Sequence, residues 1–307
     1  MVEQITRRLL LSIVVLWIVS TAAFAMMRLL PGDPVAVMLQ TSGGSAARIS
    51  ELRHELDLDQ PILVQYGRFL GGAVRGDFGN SIFTGQPVMS MILAQFPSTL
   101  ELALAALIIG VTVGVALGLV SALYEDSWLD NLLMVFAVAG VSMPSFWLGL
   151  LMIYLFALTL GWLPATGQGG LNRLIMPAAV LGFNVAATVA RLTRSSMVEV
   201  IRKEYIVTAR AKGLAERTVV MRHALKNALI PIITMVGLEF GWLLGGAVVI
   251  ETVFSRQGIG RLAIQAVLWK DFPLVQGTIL FAAVFYMAAN LFVDILYTVV
   301  DPRIHCR

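Results

Sequence analysis

The sequence predicts an all-α integral membrane protein with six transmembrane helices. Three observations predict it. Of 307 residues, 58% are hydrophobic and only 13% charged, whereas soluble domains are about half apolar and a quarter charged. Six apolar runs are each long enough to cross about 30 Å of hydrocarbon as a helix. The cations are gathered, with nine of the 22 Lys and Arg lying between Arg191 and Lys226. An island of that charge density must face water or a partner.

Residues 1–30 hold the N-terminus and the first span. Arg7 and Arg8 precede an apolar run interrupted only by Arg28 near its end. A basic start, an apolar core and the small residues Ala23 and Ala25 also fit a secretory signal, but the run is long for one and reads better as a transmembrane helix. Residues 31–97 are mixed in polarity. PGDP at Pro31 to Pro34 is a turn signal; residues 48–58 and 61–74 read as short amphipathic helices, 76–85 as a loop and 87–95 as a third short helix. Five further spans follow, over residues 99–123, 132–160, 175–192, 230–250 and 275–300. Pro144 is expected to kink the third span or start it late, and 175–192 is near the minimum length.

Cation counting gives the orientation. With the N-terminus inside, thirteen Lys and Arg lie on the inner side and only Arg173, Arg256, Arg261 and Lys270 in short outer loops. This is the positive-inside pattern, N-in and C-in. The acidic loop 124–130 (YEDSWLD) then also faces inside.

The island reads as two helices broken by a glycine. Ile201, Tyr205 and Thr208 recur at helical spacing, and Lys203 and Arg210 share another face. Gly213 follows Lys212 as a C-terminal glycine follows a basic last turn. A second helix starts near Glu216, with Pro231 placed at the start of the next span. On charge alone, a solvated basic loop and a docking element fit equally well.

Within the spans, Glu101, Glu239, Glu251 and Asp294 are the carboxylates. One at mid-bilayer costs about 2.5–3.5 kcal/mol unless paired or hydrated. Glu239 either bonds a neighbouring helix or lines a polar pathway; Asp294 reads as structural. Gly110, Gly114 and Gly118 stand four apart and let another helix approach. Gly237, Gly241, Gly245 and Gly246 do the same in the fifth span, with Glu239, Gly241 and Gly245 as candidate pathway positions. No phosphate-binding G-x-x-x-x-G-K-[ST] motif occurs, so the chain is not expected to bind or hydrolyse ATP. His54, His223 and His305 are scattered, a single Cys306 lies in the tail, and no H-E-x-x-H or G-x-S-x-G element is present, so neither a metal site nor a hydrolase is expected. The net charge of +3 carries no nucleic-acid footprint.

The island also carries a pattern. Thr208, Ala209, Arg210, Ala211, Lys212, Gly213 and Leu214 spell TARAKGL, and His223, Leu225, Lys226, Asn227 and Pro231 complete H-x-L-K-N-x-x-x-P. This resembles the cytoplasmic EAA loop of ABC-importer permeases, in the dipeptide, oligopeptide, glutathione and nickel branch. With Gly213 on the signature glycine, the general motif's glutamate position holds Val207, with Glu204 nearby, and the spacing to Pro231 is long; both are usual in this branch. LLPGDP at Leu29, GDFG at Gly76, GVSMPSFWLG at Gly140, GWLPATG at Gly161, GGAVVIETVF ending at Phe254 and NLFVDILYTVVDPRI at Asn290 fit the same branch in order.

The resemblance implies a type I ABC importer permease fold. Residues 31–97 would be extracytoplasmic and residues 98–307 a five-helix core that includes a cytoplasmic coupling loop over 198–229. The loop residues Glu204, Tyr205, Thr208, Ala209, Arg210, Ala211, Lys212, Gly213, Leu214, His223 and Asn227 would dock on an ATP-hydrolysing partner. Gly213 would permit the turn, Arg210 and Lys212 would meet polar or acidic groups, and Tyr205 and Leu214 would anchor. The implied partners are a sister permease, two ATP-binding subunits holding ATP and Mg, an extracytoplasmic binding protein and membrane lipid, at a prokaryotic inner membrane. The implied activity is import of di- or oligopeptides by alternating access, with glutathione or nickel chelates as other cargo. A proton-coupled secondary transporter with Glu239 as carrier is the alternative class.

Overall fold

A computed structural model describes residues 2–29 and 59–300, without the side chains of residues 2–9, 27 and 292–300. The expected helix at 48–58, the PGDP turn, the Asp294 side chain and Cys306 lie outside the described residues. Helices only are found among the described elements: α1 (Val2–Leu29), α2 (Ile62–Arg75), α3 (Val88–Leu123), α4 (Trp128–Ser142), α5 (Ser145–Thr159), α6 (Leu171–Ile201), α7 (Glu204–Ala211), α8 (Glu216–Val253), α9 (Ile259–Leu268) and α10 (Phe272–Val300). Four described helices, α3, α6, α8 and α10, are long and apolar enough to cross a membrane, and the bent pair α4–α5 makes a fifth.

The helix boundaries follow local chemistry. Ser127 caps α4, its hydroxyl accepting the Asp130 N–H at 3.2 Å. Pro144 cannot continue that helix, and α5 leaves at 107° to α4, as the proline in the third span predicts. Pro97 behaves differently. It sits inside α3, so the expected short helix at 87–95 and the second span are one element. A lone proline removes one backbone bond, while Ile92 before it and Leu102 after it are both fully buried, and no glycine there favours a turn. Pro231 is likewise internal to α8. At 31 residues, α6 is longer than its expected 18-residue apolar run.

The chain forms two compact units. The first comprises Met1–Pro97 and Gln257–Ala288, so residues 257–288, expected within the core, fold with the N-terminal part. In it, Phe24 of α1 meets Tyr66 edge-on at 5.1 Å and stacks on Phe69 at 5.7 Å. Thr21 and Tyr66 share a hydrogen bond of 2.6 Å. Val88, Ile92, Leu262, Ala266, Leu274 and Val275 form its core. Buried Asp271 accepts the Ser81 hydroxyl and the Phe83 N–H and caps α10 through the Leu274 N–H at 3.2 Å. Phe83 stacks on Trp269 at 4.6 Å. Those contacts seat the loop that follows GDFG.

The second unit comprises Ser98–Arg256 and Ala289–Arg307, and α6 is its hub. Two thirds of the apolar window of α6 is buried (67%), against 28% for α3 or α8. The glycine stripe explains how α3 reaches it. A Cβ on Gly110 would lie 2.5 Å from Val185 Cβ, on Gly114 2.7 Å from Val189 Cβ, and on Gly118 2.4 Å from the Ala190 carbonyl. The stripe thus serves packing within the chain, through small residues that let two backbones touch. At one end of this unit, buried Glu251 accepts the Thr99 hydroxyl at 2.6 Å. Arg256, counted above in an outer loop, is 1% exposed and pairs with Glu101.

Candidate functional site

The basic island folds as a helical hairpin on the end of the second unit. α6 ends at Ile201, and α7 starts afresh at Glu204. The break shifts the helical phase. Ile206 and Ala209 form the buried face of α7, while Tyr205 and Thr208 are exposed. Of the residues expected at helical spacing, Tyr205 and Thr208 share the exposed face of α7, while Ile201 closes α6 ahead of the break. Ile206 is fully buried against a cluster that includes Met197 and Val200 of α6 and Val219, Val220 and Ala224 of α8. α7 thus rests on both long helices at once.

The turn after α7 is a complete Schellman closure. Gly213 has φ +77°, its N–H donates to the Arg210 carbonyl at 2.9 Å, and the Leu214 N–H reaches the Ala209 carbonyl at 3.4 Å. A left-handed residue is required there, and glycine adopts it without a Cβ clash. α8 then opens with a π-helical stretch over Val219–Ala224. Asn227 ties the two limbs, donating to the Tyr205 hydroxyl at 3.0 Å and to the His223 carbonyl at 2.8 Å.

The outer surface mixes cations with apolar side chains. Glu204, Ala211, Lys212, Gly213, Arg217 and Arg222 are exposed, and so are Tyr205 (41%), Val207 (58%), Leu214 (41%) and Met221 (51%). His223 is half-buried. Arg210 is paired within the chain: its guanidinium forks onto Glu216 at 2.6 and 3.1 Å. That hydrogen bond raises the affinity of Arg210 for its proton. Lys203 is held charged in the same way by Glu199 at 2.9 Å.

A second pair of contacts joins the acidic loop to the island's root. Buried Asp130 receives Arg194 Nε at 2.7 Å and Nη2 at 2.6 Å, along with the Ser121 hydroxyl and the Asp126 N–H at 3.0 Å. Glu125 meets Arg202 at 2.8 Å. Sequence reasoning placed that loop inside and gave it no partner. The signal was the pairing of YEDSWLD with the cations of 191–202, which only the fold brings together. Reasoning from sequence also missed Glu216 and the Ile206 seat.

The candidate pathway residues separate. Glu239 lines a cavity of about 290 Å³ with Val141, Asn184, Thr188, Met235, Leu238 and Trp242. Gly241 is buried in the unit, and Gly245 is exposed with nothing within 4 Å of an added Cβ.

Several apolar helices bundled on one hub, with a charged helical hairpin at the end of the bundle, define a multi-pass membrane protein. Comparison with known proteins then gives its family. Residues 114–305 match the binding-protein-dependent transport system inner membrane component, and residues 1–103 match the N-terminal component of the same kind of protein. The chain is 44% identical over 313 residues to a candidate peptide transport system permease protein of Brucella suis biovar 1, covering 99% of each. It is 42% identical over 307 residues to the glutathione transport system permease protein GsiC of Escherichia coli (strain K12), covering both fully. The fold resembles that of the MetNI methionine ABC transporter, with a TM-score of 0.57 at 17% identity over 69% of this chain and 97% of that one. It also resembles an amino acid ABC transporter, with a TM-score of 0.52 at 19% identity over 70% and 94% of the two chains. The chain belongs to the binding-protein-dependent transport system inner membrane components and is an inner-membrane permease of an ABC importer.

Proposed function

We propose that this permease carries small peptides inward by alternating access, driven by ATP hydrolysis in separate subunits that dock on the α7–α8 hairpin. The observation that carries the reading is the two-sidedness of α7. Its inner face is locked by Ile206 and Ala209 onto α6 and α8, while Tyr205, Val207, Lys212 and Leu214 are left outside. A push on the outer face is then passed to two long helices as a rigid-body displacement. Exposed apolar residues set among cations suit a partner groove with apolar pockets and acidic walls. Arg210 keeps its fork on Glu216 and serves the hairpin's shape; Lys212 is the cation offered to the partner.

The complex would hold a sister permease, two ATP-binding subunits with their ATP and Mg, and an extracytoplasmic binding protein. The topology is six spans, N-in and C-in, with residues 31–97 outside and 198–229 inside. Support for the inner placement of loop 124–130 comes from its ion pairs with Arg194 and Arg202, which tie it to the island's side. Peptide cargo is favoured by the names of the most similar relatives, and glutathione, itself a peptide, fits the same class. Family membership leaves a proton-coupled carrier unfavoured.

The test is gentle purification of the tagged chain from its native membrane. A sister permease and an ATP-binding subunit should accompany the wild type, and Gly213→Pro should lose the ATP-binding subunit while remaining in the membrane. A chain that purifies alone and transports without ATP would overturn the proposal.

A further inference from the structure

The Glu239 cavity holds a carboxylate with too few partners for its position. Glu239 is half-buried on α8, within an apolar span. An ionised carboxylate offers about four acceptor sites. Thr188 is its hydrogen-bonding neighbour, but that hydroxyl has one proton and also points it at the Asn184 carbonyl, 3.2 Å away. Among the described residues, no Lys, Arg or His lines the cavity and Glu239 makes no ion pair. The remaining acceptor capacity therefore faces the cavity, where it is open to a cation.

The walls narrow the kind of cation. Trp242, 57% exposed, supplies a ring whose face attracts ammonium groups. Asn184 adds an amide, and Val141, Met235 and Leu238 add apolar sides. A metal ion would call for further oxygen ligands; one carboxylate, one amide, the Thr188 hydroxyl and an aromatic ring match an alkylammonium instead. The cavity, about 290 Å³, sits at the lower bound of small-ligand pockets (about 300 Å³), with room for the end of a chain.

We propose that the Glu239 cavity is a binding site for a primary ammonium group, held between the Glu239 carboxylate and the Trp242 ring. The group would be the amino terminus of a cargo peptide or a lysine side chain. This rests on the peptide-permease reading above. It assigns to the permease a preference separate from that of any binding protein.

Equilibrium binding to the complete permease–ATPase complex in lipid nanodiscs, without binding protein, tests it. The probes are trialanine, N-acetyl-trialanine and N-acetyl-Ala-Lys-Ala. Trialanine should bind the wild type at least tenfold more tightly than N-acetyl-trialanine, and Glu239→Gln should weaken trialanine about tenfold. Recovery of affinity in N-acetyl-Ala-Lys-Ala would show that any primary ammonium is accepted; no recovery would restrict the site to the amino terminus. If Glu239→Gln does not assemble, Trp242→Leu gives the same readout with an expected loss of about threefold. Equal affinity for free and acetylated trialanine, no trialanine binding, or trialanine affinity unchanged in the variants would overturn the inference. ATP-driven uptake by the same complex, measured alongside, reports separately on the importer reading.

Discussion

Replacing Gly213 tests the hairpin most sharply, because the cost can be read from the structure. An added Cβ at Gly213 meets nothing within 4 Å, so alanine introduces no clash with a neighbour. What it does meet is its own backbone, at φ +77°. For an L-residue that conformation costs about 1–2 kcal/mol, a factor of about 5–30 in the population of the closed turn. α7 has only eight residues and cannot persist as an isolated helix. Its order depends on the closure, the Ile206 seat and the Asn227–Tyr205 bond. Gly213→Ala should therefore speed amide exchange across α7 about 5–30-fold in purified protein and weaken retention of the ATP-binding subunit by a similar factor. Asparagine tolerates the left-handed region better, so Gly213→Asn should fall between glycine and alanine. Exchange in Gly213→Ala within twofold of wild type, or asparagine worse than alanine, would show that the left-handed closure does not hold α7 in place.

Three further outcomes follow from the packing. Asp130→Asn leaves Arg194 without its fork; since the Arg194 side chain is 26% exposed, the loss should be about 2–3 kcal/mol, below the 3–5 of a fully buried pair, read as a lower unfolding temperature in detergent. Gly118→Val drives a Cβ to 2.4 Å from the Ala190 carbonyl, and backbone cannot yield as a side chain does, so it should cost about 1–3 kcal/mol or more and lower the yield of folded chain, whereas Gly245→Ala should leave both unchanged. Arg210→Glu breaks an exposed pair that water already screens; thermal stability should barely move, and the swap Arg210→Glu with Glu216→Arg should recover ATPase association if the pair acts only on hairpin shape.

The sequence made the apolar helices, the broken third span and the glycine-broken hairpin legible, because each rests on a local rule. Hydrophobic length marks spans, Pro144 ends a helix, and a glycine after a basic turn closes one. What stayed hidden depends on residues far apart in the chain. Asp130 and Arg194 are 64 positions apart, and Asp271 holds Ser81 across 190; no periodicity announces either. Which face of α7 is buried was not legible for a nearby reason, since the two-residue break at Arg202 and Lys203 resets the helical phase. Pro97 and Pro231 were read as boundaries, but their helices continue because the apolar residues on both sides stay buried. At Glu239, the residue stood out as an uncompensated carboxylate, while Thr188, Asn184 and Trp242 around it required the fold.

We propose that the outer face of α7 is where the chain meets its ATP-binding partner. A photo-crosslinking amino acid placed at Val207, the most exposed large apolar residue of the hairpin (58%), tests it in native membranes. A crosslink to a nucleotide-binding protein is expected, absent when the same probe stands at Val135, which is 66% exposed on α4. Crosslinks from Val207 only to lipid or to another copy of this chain, in membranes that still transport, would contradict it.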